Sequence, residues 1–190
     1  MTLDRFGQAF REALAMVSIP VPEGSSLYAA ATSVLEMAEA YADDGHTFLA
    51  GGDAVNALAS FAYGLGWLDA GAAFGLFEGV SGGQFNPDYS DSVPGDRAGH
   101  LLEKTQRYRR MLAEAYRSVD CAPDPESPPY TGCKLVLGTV LQACREGDAC
   151  RADHDHEDAL AWYSYGYGWL DAGVRCGLLR IEQNRSLFTI

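Results

Sequence analysis

Residues 57–76 read ALASFAYGLGWLDAGAAFGL, and residues 159–178 read ALAWYSYGYGWLDAGVRCGL; aligned without a gap, 13 of the 20 positions are identical. The displacement from Asp69 to Asp171 is 102 residues, and it also carries Asp53 onto Asp155, Gly45 onto Gly147, Tyr28 onto Tyr130 and Phe6 onto Tyr108. Chance does not supply GWLDAG twice with its surroundings in register, so the chain is a tandem duplication of one structural unit. The first repeat spans 1–80 and the second 99–190. Between them, 81–98 is rich in Gly, Ser, Asp and Pro, a composition that sustains no helical or strand period and reads as a linker.

Each repeat reads as three helices. Leu3, Phe6, Phe10, Leu14 and Val17 fall at helical spacing, which predicts a first helix over 3–18, closed by Pro20 and Pro22. Ser25 or Ser26 caps a second helix that runs to 50, and Asp53 caps a third over 54–78. In the second repeat, Leu101, Thr105, Tyr108, Leu112, Ala115 and Val119 predict a helix over 101–119; helices over 131–150 and from Asp155 to 181 follow. No segment alternates as a half-buried strand would. The fold class is all-α: two tandem up-and-down three-helix units, related by a pseudo-twofold and packed as one six-helix body.

The third helix of each repeat is apolar nearly all round, which means burial on every side or a membrane span. Asp69 in mid-helix and acidic flanks without Lys or Arg anchors favour burial. At 100° per residue, Ala57, Gly64, Gly71 and Gly75 form one stripe, matched by Ala159, Gly166, Gly173 and Gly177. Small residues let helices approach closely, so these stripes are expected to face each other across the pseudo-axis. The alternative is that each admits bulky side chains of its own unit. Beside the stripe lie Tyr63, Trp67 and Phe74, matched by Tyr165, Trp169 and Cys176.

Asp69 and Asp171 stand on otherwise apolar stripes and must find donors or become neutral. Arg175, one turn beyond Asp171, is the expected partner there, whereas Asp69 has Ala73 at that position. Asp69, Asp171, Tyr63, Tyr165, Trp67 and Trp169 are therefore the candidate binding residues, with a hydrogen bond to a Tyr or Trp as the structural reading and a paired-carboxylate site as the functional one. No catalytic residue is assigned. Cys144, Cys150, His154 and His156 are weak metal candidates, because their spacing fits no compact zinc pattern. All five cysteines replace apolar residues of the other repeat (or are replaced by them), which reads as small buried hydrophobes. Lys104, Arg107, Arg109, Arg110 and Arg117 read as a solvated face, partly paired with Glu103 and Glu114.

The chain has 190 residues, 47% hydrophobic and 21% charged, as in an ordinary globular protein. Its formal net charge is −12; residues 1–97 hold 13 acids against 3 bases, and residues 98–190 hold 13 against 11. That acidity argues against nucleic acid or an anionic membrane as partner. An odd cysteine count argues against a disulfide scaffold, and the opening MTLDRFGQAF lacks a secretory pattern, so a cytoplasmic location is expected. No phosphate-cradling loop, dinucleotide fingerprint or nucleophile elbow is present, and no cofactor is expected.

The stretch 36–77 resembles the archaeal domain-of-unknown-function 357 family. The resemblance rests on Ala38 with Tyr41 and Asp44, the Gly52-Asp53 turn, Asn56-Ala57, Tyr63, and Gly66 through Gly71; Asp155, Tyr165 and Gly168 through Gly173 repeat it. It implies an up-and-down helical bundle of archaeal origin with no assigned activity, whose usual single copy is doubled here. The function expected is a non-enzymatic module that binds a partner protein or self-associates. The alternative is a small-molecule- or metal-dependent enzyme using the Asp69 and Asp171 region. A helical RNA-processing domain is a third reading, but its basic-x4–6-His motif has no counterpart.

Overall fold

Six helices form in the order the repeat dictates, in a computed structural model that describes residues 1–80, 82, 85–89 and 93–189. They are α1 (Leu3–Ala15), α2 (Ser26–Ala50), α3 (Ala54–Ala73), α4 (Ala98–Arg117), α5 (Pro129–Ala152) and α6 (His156–Arg175). The expected caps are in place: Ser25 Oγ accepts from Tyr28 N at 3.1 Å, Asp53 from Asn56 N at 3.1 Å, and Asp155 from Asp158 N at 3.0 Å. Each satisfies a backbone donor that the first turn leaves without an intrahelical acceptor. No helix among the described residues is long and apolar enough to cross a membrane.

The outer helices end earlier than their apolar periodicity suggests, because the chain exchanges helix for strand pairing. α1 stops at Ala15, and Ser18 then forms an antiparallel bridge with Glu78 beyond α3. The second repeat widens that bridge into two strands, β1 (Val119–Cys121) and β2 (Leu179–Ile181). Asp120 opposes Arg180 in this ladder, the positions that a 102-residue shift assigns to Ser18 and Glu78. Gly79 has φ +86, and a Cβ there would lie 1.9 Å from the Met16 carbonyl oxygen, so only glycine admits the crossing. Strand pairing also corrects the cysteine reading. Cys121 and Cys133 form a disulfide with Cα atoms 5.7 Å apart, tying β1 to the start of α5. Cys144, Cys150 and Cys176 are half-buried free thiols.

α3 and α6 are sheathed by the remaining helices and pack against each other at the centre. Sixteen residues of the 20-residue α3 are buried, Asp69 among them. The two glycine stripes do not meet. Gly64 faces Phe10 and Tyr41, Gly71 faces Phe77, Gly166 faces Ala143 and Leu112, and Gly173 faces Val136 and Leu179, so each stripe admits side chains of its own repeat. The crossing is made instead by Gly66 and Gly168. A Cβ on Gly66 would sit 2.3 Å from Tyr165 O and 3.1 Å from Gly168 Cα; one on Gly168 would sit 2.2 Å from Tyr63 O and 3.1 Å from Gly66 Cα. These reciprocal contacts place the pseudo-twofold axis between the two glycines.

The connection between repeats is packed where it is described. Tyr89 is buried, stacks on Phe6 at 4.8 Å between ring centroids, and donates its backbone N–H to Asp158 at 2.7 Å. Val93 is buried as well. Lys104 does not join the solvated face of α4. It is 7% exposed, donates to Asn56 Oδ1 across the repeat boundary, and lies 5.0 Å from the Tyr108 ring centroid. Burial pulls its ammonium pKa down to about 8.

Gly66→Ala and Gly168→Ala are each expected to destabilise the fold by more than about 2 kcal/mol, since backbone rather than a mobile side chain blocks the added methyl. Gly138→Ala, on α5 with nothing within 4 Å, is expected to gain about 0.5–1 kcal/mol. Chemical denaturation reads all three, and equal effects would contradict the assigned crossing.

Candidate functional site

Beside the glycine crossing, each repeat reaches into the other with a tyrosine. Tyr63 on α3 donates to Asp171 Oδ2 on α6, and Tyr165 on α6 donates to Asp69 Oδ2 on α3 at 2.9 Å. Both carboxylates are buried, Asp171 completely. Each tyrosine donor therefore comes from the other repeat. Arg175 turns away from Asp171 and donates to Ser33 Oγ on α2 at 2.6 Å. Burial, and then the neighbouring carboxylate, push both tyrosine hydroxyls far above their ordinary pKa, so they remain donors.

The two pairs are equivalent by descent but open onto different surroundings. Around Asp171 the chain closes. Thr189 N donates to Asp171 Oδ2 at 3.3 Å, and Tyr167 donates its hydroxyl to Leu187 O at 2.5 Å. The space left, lined by Tyr41, Tyr63, Tyr108 and Tyr167 among others, is about 110 Å³. Asp171 Oδ1 has no hydrogen-bond partner among the described residues, and burial raises the Asp171 pKa to about 7.

Around Asp69 the surface is open. One lobe of about 490 Å³ lies against α1 and is lined by Phe6, Ala9, Phe10, Leu65 and Leu68, with Phe85 and Tyr89 of the connection. A second lobe of about 670 Å³ lies between the end of α3, α5 and α6, and is lined by Ala73, Leu135, Glu146, Trp162, Tyr165 and Trp169. Asp69, Phe85 and Asn86 line both lobes, which makes them two parts of one cleft. Phe85 stacks on Tyr165 at 4.2 Å with rings 9° apart and meets Trp162 edge-on at 4.9 Å. An aromatic wall beside carboxylates is suited to apolar groups and organic cations.

The sequence candidates thus divide. Asp69, Tyr165 and Trp169 line the open cleft, Tyr63 lines the closed cavity with Asp171 behind it, and Trp67 is fully buried core. Asp69 lines the open cleft and Asp171 lies behind the closed cavity, each held by a tyrosine of the other repeat. Cys144, Cys150, His154 and His156 are not gathered either: no group of three or more His, Cys, Asp or Glu among the described residues could hold a metal ion. Burial raises the Cys144 and Cys150 thiols to about 11, away from the thiolate a metal needs. Cys144 lines a separate surface hollow with Arg109, which pairs with Asp148 at 2.5 Å.

Sequence reasoning missed Phe85, Glu146, Trp162 and Leu65. The signal lay in differences between the copies. Ala9 replaces Met111, Leu65 replaces Tyr167 and Asn86 replaces Phe188, so smaller or more flexible groups line the first cleft where bulky ones close the second.

An acid with a higher pKa folded than unfolded binds more protons in the folded state. The stability that Asp171 contributes is thus fully present below about 4 and is lost as pH rises through about 7. Asp171→Asn keeps a neutral acceptor for Tyr63 and is expected to flatten the decline in unfolding free energy between pH 4 and 7 relative to wild type. Parallel profiles from denaturant titrations would remove Asp171 as the cause.

A family model described as "Protein of unknown function (DUF357)" matches residues 5–77 and again 107–179, two windows displaced by the same 102 residues as GWLDAG. No curated protein and no solved structure matches the chain. With well over half of its length matched, and matched twice, the chain belongs to the DUF357 family of unknown function.

Proposed function

We propose that the chain is a non-enzymatic interaction module whose two family units form an internal dimer and whose open cleft receives a partner polypeptide. The observation that carries this reading is the unequal fate of the two clefts. One is closed by its own tyrosines and C-terminal residues; the other stays open at about 490 and 670 Å³, its α1 lobe lined mostly by apolar and aromatic side chains and its second lobe by polar and apolar ones alike. Concave surface of that volume with aromatic side chains in its walls is characteristic of binding sites.

Weighing against the enzyme reading, Asp69 and Asp171 each accept a hydrogen bond from a tyrosine of the other repeat, Asp69 at the open cleft and Asp171 behind the closed cavity. We read two carboxylates held in this way as ties between the halves rather than as a site for a shared proton or cation.

The test copies the closed half into the open one. Ala9→Met with Leu65→Tyr gives the α1 lobe the side chains its counterpart carries at Met111 and Tyr167. In the native host, a tagged wild-type chain is expected to recover a partner in stoichiometric amount by mass spectrometry. The double variant is expected to lose it while keeping its thermal midpoint. Recovery unaffected by the filled lobe would overturn the reading.

A further inference from the structure

The duplication provides an internal comparison for the lobe between α3, α5 and α6. In the other half, the corresponding place is bridged by Arg175, whose guanidinium Nε reaches from the end of α6 to Ser33 Oγ on α2. A shift of 102 residues maps Arg175 onto Ala73 and Ser33 onto Leu135, so in the open lobe the bridging positions carry a methyl group and an isobutyl group. Acidic and aromatic residues recur at matching positions of the two halves: Asp69 matches Asp171, Glu146 matches Asp44 and Trp169 matches Trp67. Trp162 replaces Ser60 and adds a second indole. Among the described residues the lining includes Asp69 and Glu146 but no Lys, Arg or His.

We propose that this lobe receives an arginine side chain of the partner polypeptide, its guanidinium among the Glu146, Trp162 and Trp169 side chains that line it. The inference rests on the interaction-module reading above and names what the partner must present. A planar, weakly hydrated guanidinium stacks on indole faces and pairs with carboxylates, which an ammonium does less well. The alkyl stem packs on Leu135, an exposed hydrophobic residue at 43% exposure on the rim. Overall charge agrees, since a chain of net −12 attracts a basic segment at long range.

The probe is a pair of short acetylated, amidated peptides that differ only in arginine against citrulline, which has the same shape without the charge, titrated calorimetrically into the full chain. The arginine peptide is expected to bind at least tenfold more tightly than the citrulline peptide, and Glu146→Gln is expected to weaken it several-fold. Ala73→Arg with Leu135→Ser rebuilds the bridge of the other half and is expected to abolish binding with the thermal midpoint kept or raised. Equal binding of the two peptides, or undiminished binding to the rebuilt lobe, overturns the proposal. Agmatine bound as tightly as the arginine peptide overturns the polypeptide as source and assigns the lobe to a free cation. If the peptides are not distinguished while the Ala9→Met, Leu65→Tyr variant still sheds its native partner, arginine recognition fails and the interaction reading stands.

Discussion

Two backbones touching at Gly66 and Gly168 set the positions of nearly everything else in the molecule. At that crossing α3 and α6 come closer than any side chain permits, so each helix must be buried along most of its length. Four further helices supply the cover. Close approach also brings Tyr63 and Tyr165 within reach of the opposite helix, where each donates to a buried carboxylate of the other repeat. Removing a tyrosine hydroxyl would leave a buried acceptor short of a partner, a cost greater than the net worth of the bond. The halves are thus joined by steric fit at the axis and by polar satisfaction on either side of it.

Much of this was legible before any coordinates. The repeat, the number of helices, the caps at Ser25, Asp53 and Asp155, and the burial of the GWLDAG helices follow from spacing and composition. The side of the glycine helix that meets its partner did not follow. Helical projection grouped Gly64 with Gly71 but could not distinguish a stripe that admits phenylalanine from one that admits a backbone. The strands were hidden because three residues are too few to show a period, and the Cys121–Cys133 disulfide joins one of them to α5. Lys104 looked solvated because its partner, Asn56, is far away in sequence.

The site was less legible for a related reason. Asp69 and Tyr165 stood out as polar or aromatic groups on an apolar helix, but the cleft around them is made by absences: Ala9, Leu65 and Ala73 are unremarkable until set against Met111, Tyr167 and Arg175. A duplicated chain carries its own control in this respect. Positions alike in both halves include those of the shared crossing, and several that differ in size or charge line the cleft that the first half leaves open.

Calorimetric unfolding of the whole chain tests the central claim most directly. If the halves are one body built around a shared axis, the melt is a single transition whose calorimetric and van't Hoff enthalpies agree. Two resolved transitions, or a van't Hoff enthalpy near half the calorimetric value, would mean that the repeats fold as independent neighbours and that the crossing does not hold them together.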